Sequence, residues 1–589
     1  MTDSMISDSG GGPTKWNLLQ FALLCCYTVG MHGSISLPYY VAAYSPYFLV
    51  AFYTLMIVVC IPVCYVQIKL GAVYRRGIVG TFSHLLPILK GVAVAILALT
   101  YIRCITNGLE LSYSLYYAFI SFAKPYPKDV IERGDTFLQR SDGIDEGGSM
   151  VWYIVLCLMA TWLVIFLFTF RGLPVLGKIS YVVSPVAIIL TAVVFGYGYK
   201  VPLSESPIYP QFKGYRITET VRLEGNITSI MEDDEADVTR ENMYSASVLL
   251  SPKPWIDAMT LHLYGIGLWS GILPLLGSQI YNRKAIINAA WSILLIVYGI
   301  LPMIVVFAFI PYYDMDSHTG YLASSNSLKP GLSFMLVGIF GKARHVPGIA
   351  LCIYLTIFLF GMLHQASTCI VVLPSLPTFI MRFLQRRELV MAVTCVFSFF
   401  LSLPYASQGG IYLYTIVNSF VDRLIFSVII LSTVPFLIGY IKQEYLYLPI
   451  ERACMSVWYG LASVFPASLL IYYFAVYVYP FLVVGYDERW AETLGWVIAI
   501  APISTCILLG AIHAVLTKKG SFKQKFIQAL KTEHLDPVDV HPQYDFSDTT
   551  NTGTHASKSP SYNGGHIGAE RVDTEVIIPP PKQDPIDQV

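Results

Sequence analysis

Seven side chains that can carry charge stand inside long apolar runs of this 589-residue chain: His32, Arg103, Glu110, His262, His364, Asp422 and Arg423. An ionisable group in hydrocarbon costs several kcal/mol unless it pairs or faces a cavity, so each is a candidate functional residue. The chemistry open to them is binding and proton transfer. His32 and His364 would titrate near the free imidazole value of about 6.5 and could each carry a proton where another protein uses a cation. A neutral, hydrogen-bonded structural role is the plainer expectation for His262. Arg103 and Glu110 are seven apart, on one face of a helix but two turns distant, so each should pair with a different helix. No phosphate-binding Gly-rich loop with Lys, no metal-ligand spacing and no nucleophile elbow is present, which argues against an enzyme and against a resident metal.

A second pattern lies in the backbone. The stretch YTVGMHGSISLPYY (27–40) puts Gly30, His32, Gly33, Ser34, Ser36 and Pro38 within one apolar run, and HLYGIGLWSGILP (262–274) puts Gly265, Gly267, Gly271 and Pro274 within another. Irregular backbone at membrane depth must be buried in protein or line a cavity. Two glycine-interrupted runs, each the first of five, point to a carrier built from inverted repeats with its site near the midplane.

The elements that must position these residues follow from composition. The chain is 55% hydrophobic and 13% charged, with a mean hydropathy of +0.59, which marks an integral membrane protein and excludes a nucleic-acid binder. Apolar runs near 17–40, 48–70, 91–122, 151–170, 179–199, 256–280, 285–311, 349–373, 389–404, 411–438, 457–480 and 491–517 predict twelve spanning helices, an all-α polytopic fold. Residues 1–16 read as a polar N-terminal tail, 17–517 as the core with outer loops 123–150 and 200–254, and 518–589 as a disordered tail. Basic residues including Lys69, Arg75, Lys90, Arg171, Arg283, Arg386 and Lys518 flank alternate connections, which predicts both tails in the cytoplasm. Asn226-Ile227-Thr228 is then an outward glycosylation acceptor, and the C-terminal tail is a candidate contact for cytoplasmic proteins. Ten of eleven cysteines lie in apolar runs and Cys454 in a connection, which leaves no disulfide for the outer loops.

Several short blocks, in order along residues 16–530, carry a resemblance: YTVG with Pro38-Tyr39, GIVGTFSHLLPILKG (77–91), RGLPVLGK (171–178), PWIDA (254–258), KPGLSF (329–334), SQGGIY (407–412) and KKGSFKQK (518–525). The sequence resembles the neurotransmitter:sodium symporter family, solute carrier family six, with its LeuT-like fold of two inverted five-helix repeats and unwound helices 1 and 6. The resemblance implies a plasma-membrane carrier of an amino-acid-like or neurotransmitter-like solute, working by alternating access. It places the solute at Thr28, Gly30, Met31, His32, Tyr264, Gly267, Trp269 and Gly271, with Thr106 or Asn107 where relatives have a tyrosine. Tyr264 stands at the family's lid, and Gly30 either leaves room for a carboxylate over the Met31 and His32 amides or only permits unwinding.

The family's sodium and chloride positions are altered. Gly33, Gly265 and Ser292 replace side-chain ligands of one sodium, and Leu363 and His364 those of the other, leaving backbone carbonyls such as those of Thr28, Cys26, Val29 and Phe360. Leu261, Gly265 and Phe52 or Tyr53 replace chloride ligands. Ser36 and Asn418 replace the ion pair of the outer gate, which predicts closure by neutral hydrogen bonds. The expectation is transport independent of both ions, facilitative or proton-linked through His32 or His364; the alternative is a transport-silent relative that acts as a receptor or signalling scaffold.

Overall fold

The computed structural model describes residues 18–44, 46–75, 77–121, 139, 141, 145, 147–198, 249–280, 284–312, 347–372, 387–442, 449–475 and 489–531. Asn226, most of both outer loops, the N-terminal tail and residues beyond 531 lie outside them. Among the described residues the secondary structure is helical, apart from a single bridge between Met150 and Ser407.

Among the described residues eleven helices are long and apolar enough to cross a membrane, and a bent pair counted as one span makes a twelfth. In chain order they are α1 (Leu18–Thr28 with His32–Val41), α2 (Phe48–Tyr74), α3 (Pro87–Ile120), α4 (Trp152–Thr169), α5 (Leu173–Gly198), α6 (Lys253–Ser278), α7 (Ile286–Tyr312), α8 (Gly348–Val371), α9 (Glu388–Ala406), α10 (Gly410–Ile441), α11 (Pro449–Tyr472) and α12 (Arg489–Leu516). A further helix, α13 (Phe522–Leu530), lies where the sequence predicts disorder from 518 onward. The reason is local: Ser521 and Gln524 form a reciprocal capping box that satisfies two of its first amides.

Burial orders the bundle. The most apolar window of α6 is 83% buried and that of α8 78%, against 22% for α11 and 11% for α12, so the first two are central and the last two lie at the edge. α3 is the other central element, packed on α8, α10 and α12. α2 and α6 approach backbone to backbone: a Cβ on Gly71 would lie 2.1 Å from the Pro274 carbonyl oxygen, which only glycine avoids.

Both predicted breaks are present. In α1 a 3₁₀ turn at Cys26–Thr28 runs into Gly30 at φ +43° and then a π-helical turn, His32–Ser36, so that its two halves meet at 59°. In α6 a π-helical turn, Leu263–Gly267, is followed by Trp269 at φ +57° and Gly271 at φ +90° before the helix resumes. The Tyr27 hydroxyl donates to the Ile266 carbonyl at 2.8 Å and ties one break to the other.

Lys69 departs from its predicted place beside a connection. It is 1% exposed within α2, its ammonium 3.2 Å from Glu451 of α11, with the Tyr65 hydroxyl bonded to both. Cys454 likewise lies in a helix, Pro449–Ala462, and is exposed.

Candidate functional site

The two breaks converge on α3 and α10. Tyr264, in the π-helical turn of α6, stacks on His32 of α1 at 5.2 Å between centroids, and its other neighbour is Arg103, whose Cζ lies 4.1 Å from the ring centre. The Tyr264 hydroxyl donates to Asp422 of α10. Arg103 Nη1 lies 3.3 Å from the same carboxylate oxygen and donates to Oδ1 of Asn418, one turn away on α10. Glu110 accepts a hydrogen bond from Tyr414, so Arg103 and Glu110 of α3 each pair with α10.

This arrangement corrects the predicted gate. Asn418 does not close the site through a neutral bond to Ser36; its partner is a guanidinium. Charged contacts therefore join α3 to α10. Arg103 is 3% exposed, and desolvating it without Asp422 would be prohibitive.

Several polar atoms in this cluster are buried without a protein partner: Nε and Nη2 of Arg103, Oδ1 of Asn107 and Nδ2 of Asn418. Leaving such a group unmade costs about 1–3 kcal/mol, more when charged, and protein interiors hold few of them. Asn107 sits one turn along α3 from Arg103, so the atoms share one face. Thr106 faces elsewhere, its hydroxyl returned to the Arg103 carbonyl at 3.1 Å. Of the two residues offered for the family's tyrosine, Asn107 is the one in the cluster.

The opposite wall, where the ion ligands were expected, is filled by the protein. A Cβ on Gly33 would lie 3.3 Å from Pro302 and 3.4 Å from Val29, so a larger side chain there would press on both. A Cβ on Gly265 would lie 3.0 Å from the Tyr298 ring, which takes the room a longer side chain would need. The Ser292 hydroxyl turns back to the Asn288 carbonyl at 2.8 Å. Val29 and Cys26 carbonyls accept the Gly33 and Val29 amides at 2.6 and 3.2 Å. His262 forms a neutral chain between α2 and α7, beside Leu261, Phe52 and Tyr53. Its Nε2 can only donate to the Phe52 carbonyl at 2.9 Å, so Nδ1 accepts from the Tyr298 hydroxyl at 3.0 Å. Tyr53 is occupied by the Gly299 carbonyl at 2.9 Å. The gap between these groups is too narrow to admit a water molecule and is lined by His32, Gly33, Leu37, Phe52, Leu261, Gly265, Tyr298 and Pro302. That lining offers a sodium ion no carboxylate or amide oxygen.

His364 occupies two predicted places at once. Its Nδ1 donates to the Tyr27 carbonyl at 3.2 Å, and its Cγ would lie 2.9 Å from a Cβ on Gly30. The room at Gly30 thus holds an imidazole and is not a carboxylate seat. Leu363 and Phe360 are fully buried, and Met31 packs against Gly361. The Thr28 hydroxyl is bonded to the Cys25 carbonyl at 2.7 Å.

The far side of the α6 break does not join the cluster. Trp269 is 1% exposed and donates to the Tyr459 hydroxyl of α11 at 3.3 Å. Gly267 and Gly271 serve the turn: both have positive φ, and a Cβ on Gly267 would meet Ile272 at 2.7 Å. Sequence reasoning named Arg103 and Asp422 only as suspects. The signal that could have joined them is the four-residue spacing of Arg103 with Asn107 and of Asn418 with Asp422, two polar pairs each on one helix face. Tyr298 carried no such signal.

A sequence model of the Sodium:neurotransmitter symporter family matches residues 227–518. The sodium- and chloride-dependent GABA transporter 2 of Mus musculus is 21% identical over 585 residues, covering 87% of this chain and 85% of the relative. The sodium- and chloride-dependent taurine transporter of Canis lupus familiaris is 22% identical over 585 residues, covering 88% and 84%. Over residues 227–518 the chain is similar to that family, and over most of its length it is similar to these two transporters. It is a multi-pass membrane protein whose first and sixth spans, α1 and α6, are broken.

Proposed function

We propose that this protein is a plasma-membrane carrier of a small amino-acid-like solute that works without sodium or chloride. The solute site is the α1–α3–α6–α10 centre, and the motion is a rocking of α1, α2, α6 and α7 against the remaining helices. The amino-acid-like class follows the relatives, named for GABA and taurine. Both tails are cytoplasmic on this reading, by the distribution of basic residues.

One observation carries the ion independence. Pro302, Tyr298 and His364 stand against Gly33, Gly265 and Gly30, so three positions that would surround ions or a bound anion are packed with uncharged side-chain atoms. Backbone carbonyls alone compete poorly with water for sodium, and ~1.4 kcal/mol of lost coordination is a tenfold loss of affinity. His32 or His364 can supply a proton in place of a cation, since imidazole titrates near about 6.5.

The test is uptake of radiolabelled amino acids into vesicles holding the purified chain, with sodium replaced by a large organic cation. Saturable uptake changed by less than twofold supports the reading, and a tenfold collapse sinks it. Uptake absent across a broad panel would leave a receptor or scaffold instead. A pH inflection near the imidazole range that vanishes in His364→Ser would assign the proton-linked form; a flat profile would assign the facilitative one.

A further inference from the structure

We propose that the guanidinium of Arg103 on α3, rather than the broken first helix, seats the anionic group of the carried solute. The inference rests on the carrier reading of the same site and names the residue that selects the solute. Nη1 of Arg103 is used by Asn418 and Asp422. The opposite edge, Nε with Nη2, is buried and has no protein partner. Those two nitrogens present parallel N–H groups, the fork that a carboxylate or sulfonate meets with two hydrogen bonds at once.

The surroundings have the polarity of such a seat. Nδ2 of Asn418, a further donor, is also buried without a partner, and Asn418 touches Arg103 directly. Oδ1 of Asn107, an acceptor, is likewise without a partner one turn away on α3. Three donor atoms and one acceptor suit a solute with an anion at one end and an N–H group nearby. The α1 seat is closed to such an anion by the His364 imidazole against Gly30. Asp422 holds the guanidinium from the other side, and the Tyr264 ring lies on its face, so the fork is aimed before a solute arrives. A purely structural Arg103–Asp422 pair would account for Nη1 but leaves the fork unexplained.

The test uses the full-length chain in detergent, with thermal stabilisation as the binding readout and vesicle uptake beside it. The probes are glycine, γ-aminobutyrate and taurine, the methyl esters of the two carboxylates, and ethylamine, which lacks the acid. At least one free acid should stabilise the protein, with its ester or ethylamine at least tenfold weaker; taurine against the carboxylates separates sulfonate from carboxylate recognition. Arg103→Lys, which keeps the charge and loses the fork, should weaken binding at least tenfold. The double variant Arg103→Gln/Asp422→Asn removes both charges together, should fold, and should bind none of the acids. Binding of a free acid by the double variant within twofold of the parent overturns the proposal, as does an ester that binds as well as its acid, or no binding by any acid. If Arg103-dependent binding occurs without uptake, the seat stands and the carrier reading falls. If uptake persists in the double variant, the seat falls and the carrier reading stands.

Discussion

On the α1–α7 side of the centre, Gly33 meets Pro302, Gly265 meets Tyr298, and Ser292 bonds its own helix. On the α3–α10 side, Arg103 meets Asp422 and Asn418, and Glu110 meets Tyr414. The first wall satisfies itself with neutral contacts and needs nothing from solution. The second holds fixed charges in a buried place and is only as stable as their pairing. The difference shows that one wall of the centre is held by van der Waals packing and the other by buried charge. Fixed charge of both signs then sits across the site, where it cannot be washed out by changing the salt.

The comparison can be broken by experiment. The largest effect is expected from Asp422→Ala, which leaves Arg103 buried with no carboxylate. It should lower the stability of the purified protein by about 3 kcal/mol, toward the low end for a buried pair because the Asp422 side chain is 28% exposed. Arg103→Met in the same chain should recover most of that loss in thermal unfolding. Equal midpoints for the single variant and the parent would mean that the α3–α10 charges are already hydrated.

Gly30→Ala attacks the neutral wall. Its Cβ would press on His364 at 2.9 Å in a backbone at φ +43°, a strain of about 1–3 kcal/mol. Adding His364→Ala should relieve the contact but not the backbone term, so the double variant should recover only part of the loss. Full recovery would show that the left-handed geometry at Gly30 costs nothing.

Trp269→Phe should cost about 1 kcal/mol for the bond to Tyr459 and leave solute selectivity unchanged. A changed solute preference in competition uptake would return Trp269 to the site from which its packing removes it. The smallest effect is expected at the His262 chain. Replacing chloride by gluconate should alter uptake by less than twofold, because His262 and Tyr298 satisfy each other. A strong chloride requirement would mean that this wall opens during transport.

Much of the fold was legible because its signals are local. Twelve apolar runs gave twelve spans, since a membrane rewards any segment of about 20 apolar residues without reference to its neighbours. Both breaks were readable because glycines announce positive φ, and Gly30, Gly267 and Gly271 adopt it. The capping box of α13 was equally local, in Ser521 and Gln524, but was passed over beside a tail of disorder-prone composition. The site was legible only as a list of suspects. The residue types of Gly33, Gly265 and His364 gave no sign of the Pro302, Tyr298 and Gly30 contacts they make.

The sequence by itself thus determined the membrane class, the order of the spans and the two places where helices unwind. Only the tertiary structure decided that Tyr298 and Pro302 fill the α1–α7 wall, that His364 occupies the room at Gly30, and that Arg103 latches to α10 in place of a bond between Ser36 and Asn418. Arg103 and Asn418 are 315 residues apart, and no periodicity links residues on different helices. Their meeting depends on how α3 and α10 are rotated and how closely they approach, which is set by the packing of the whole bundle and not by either segment alone.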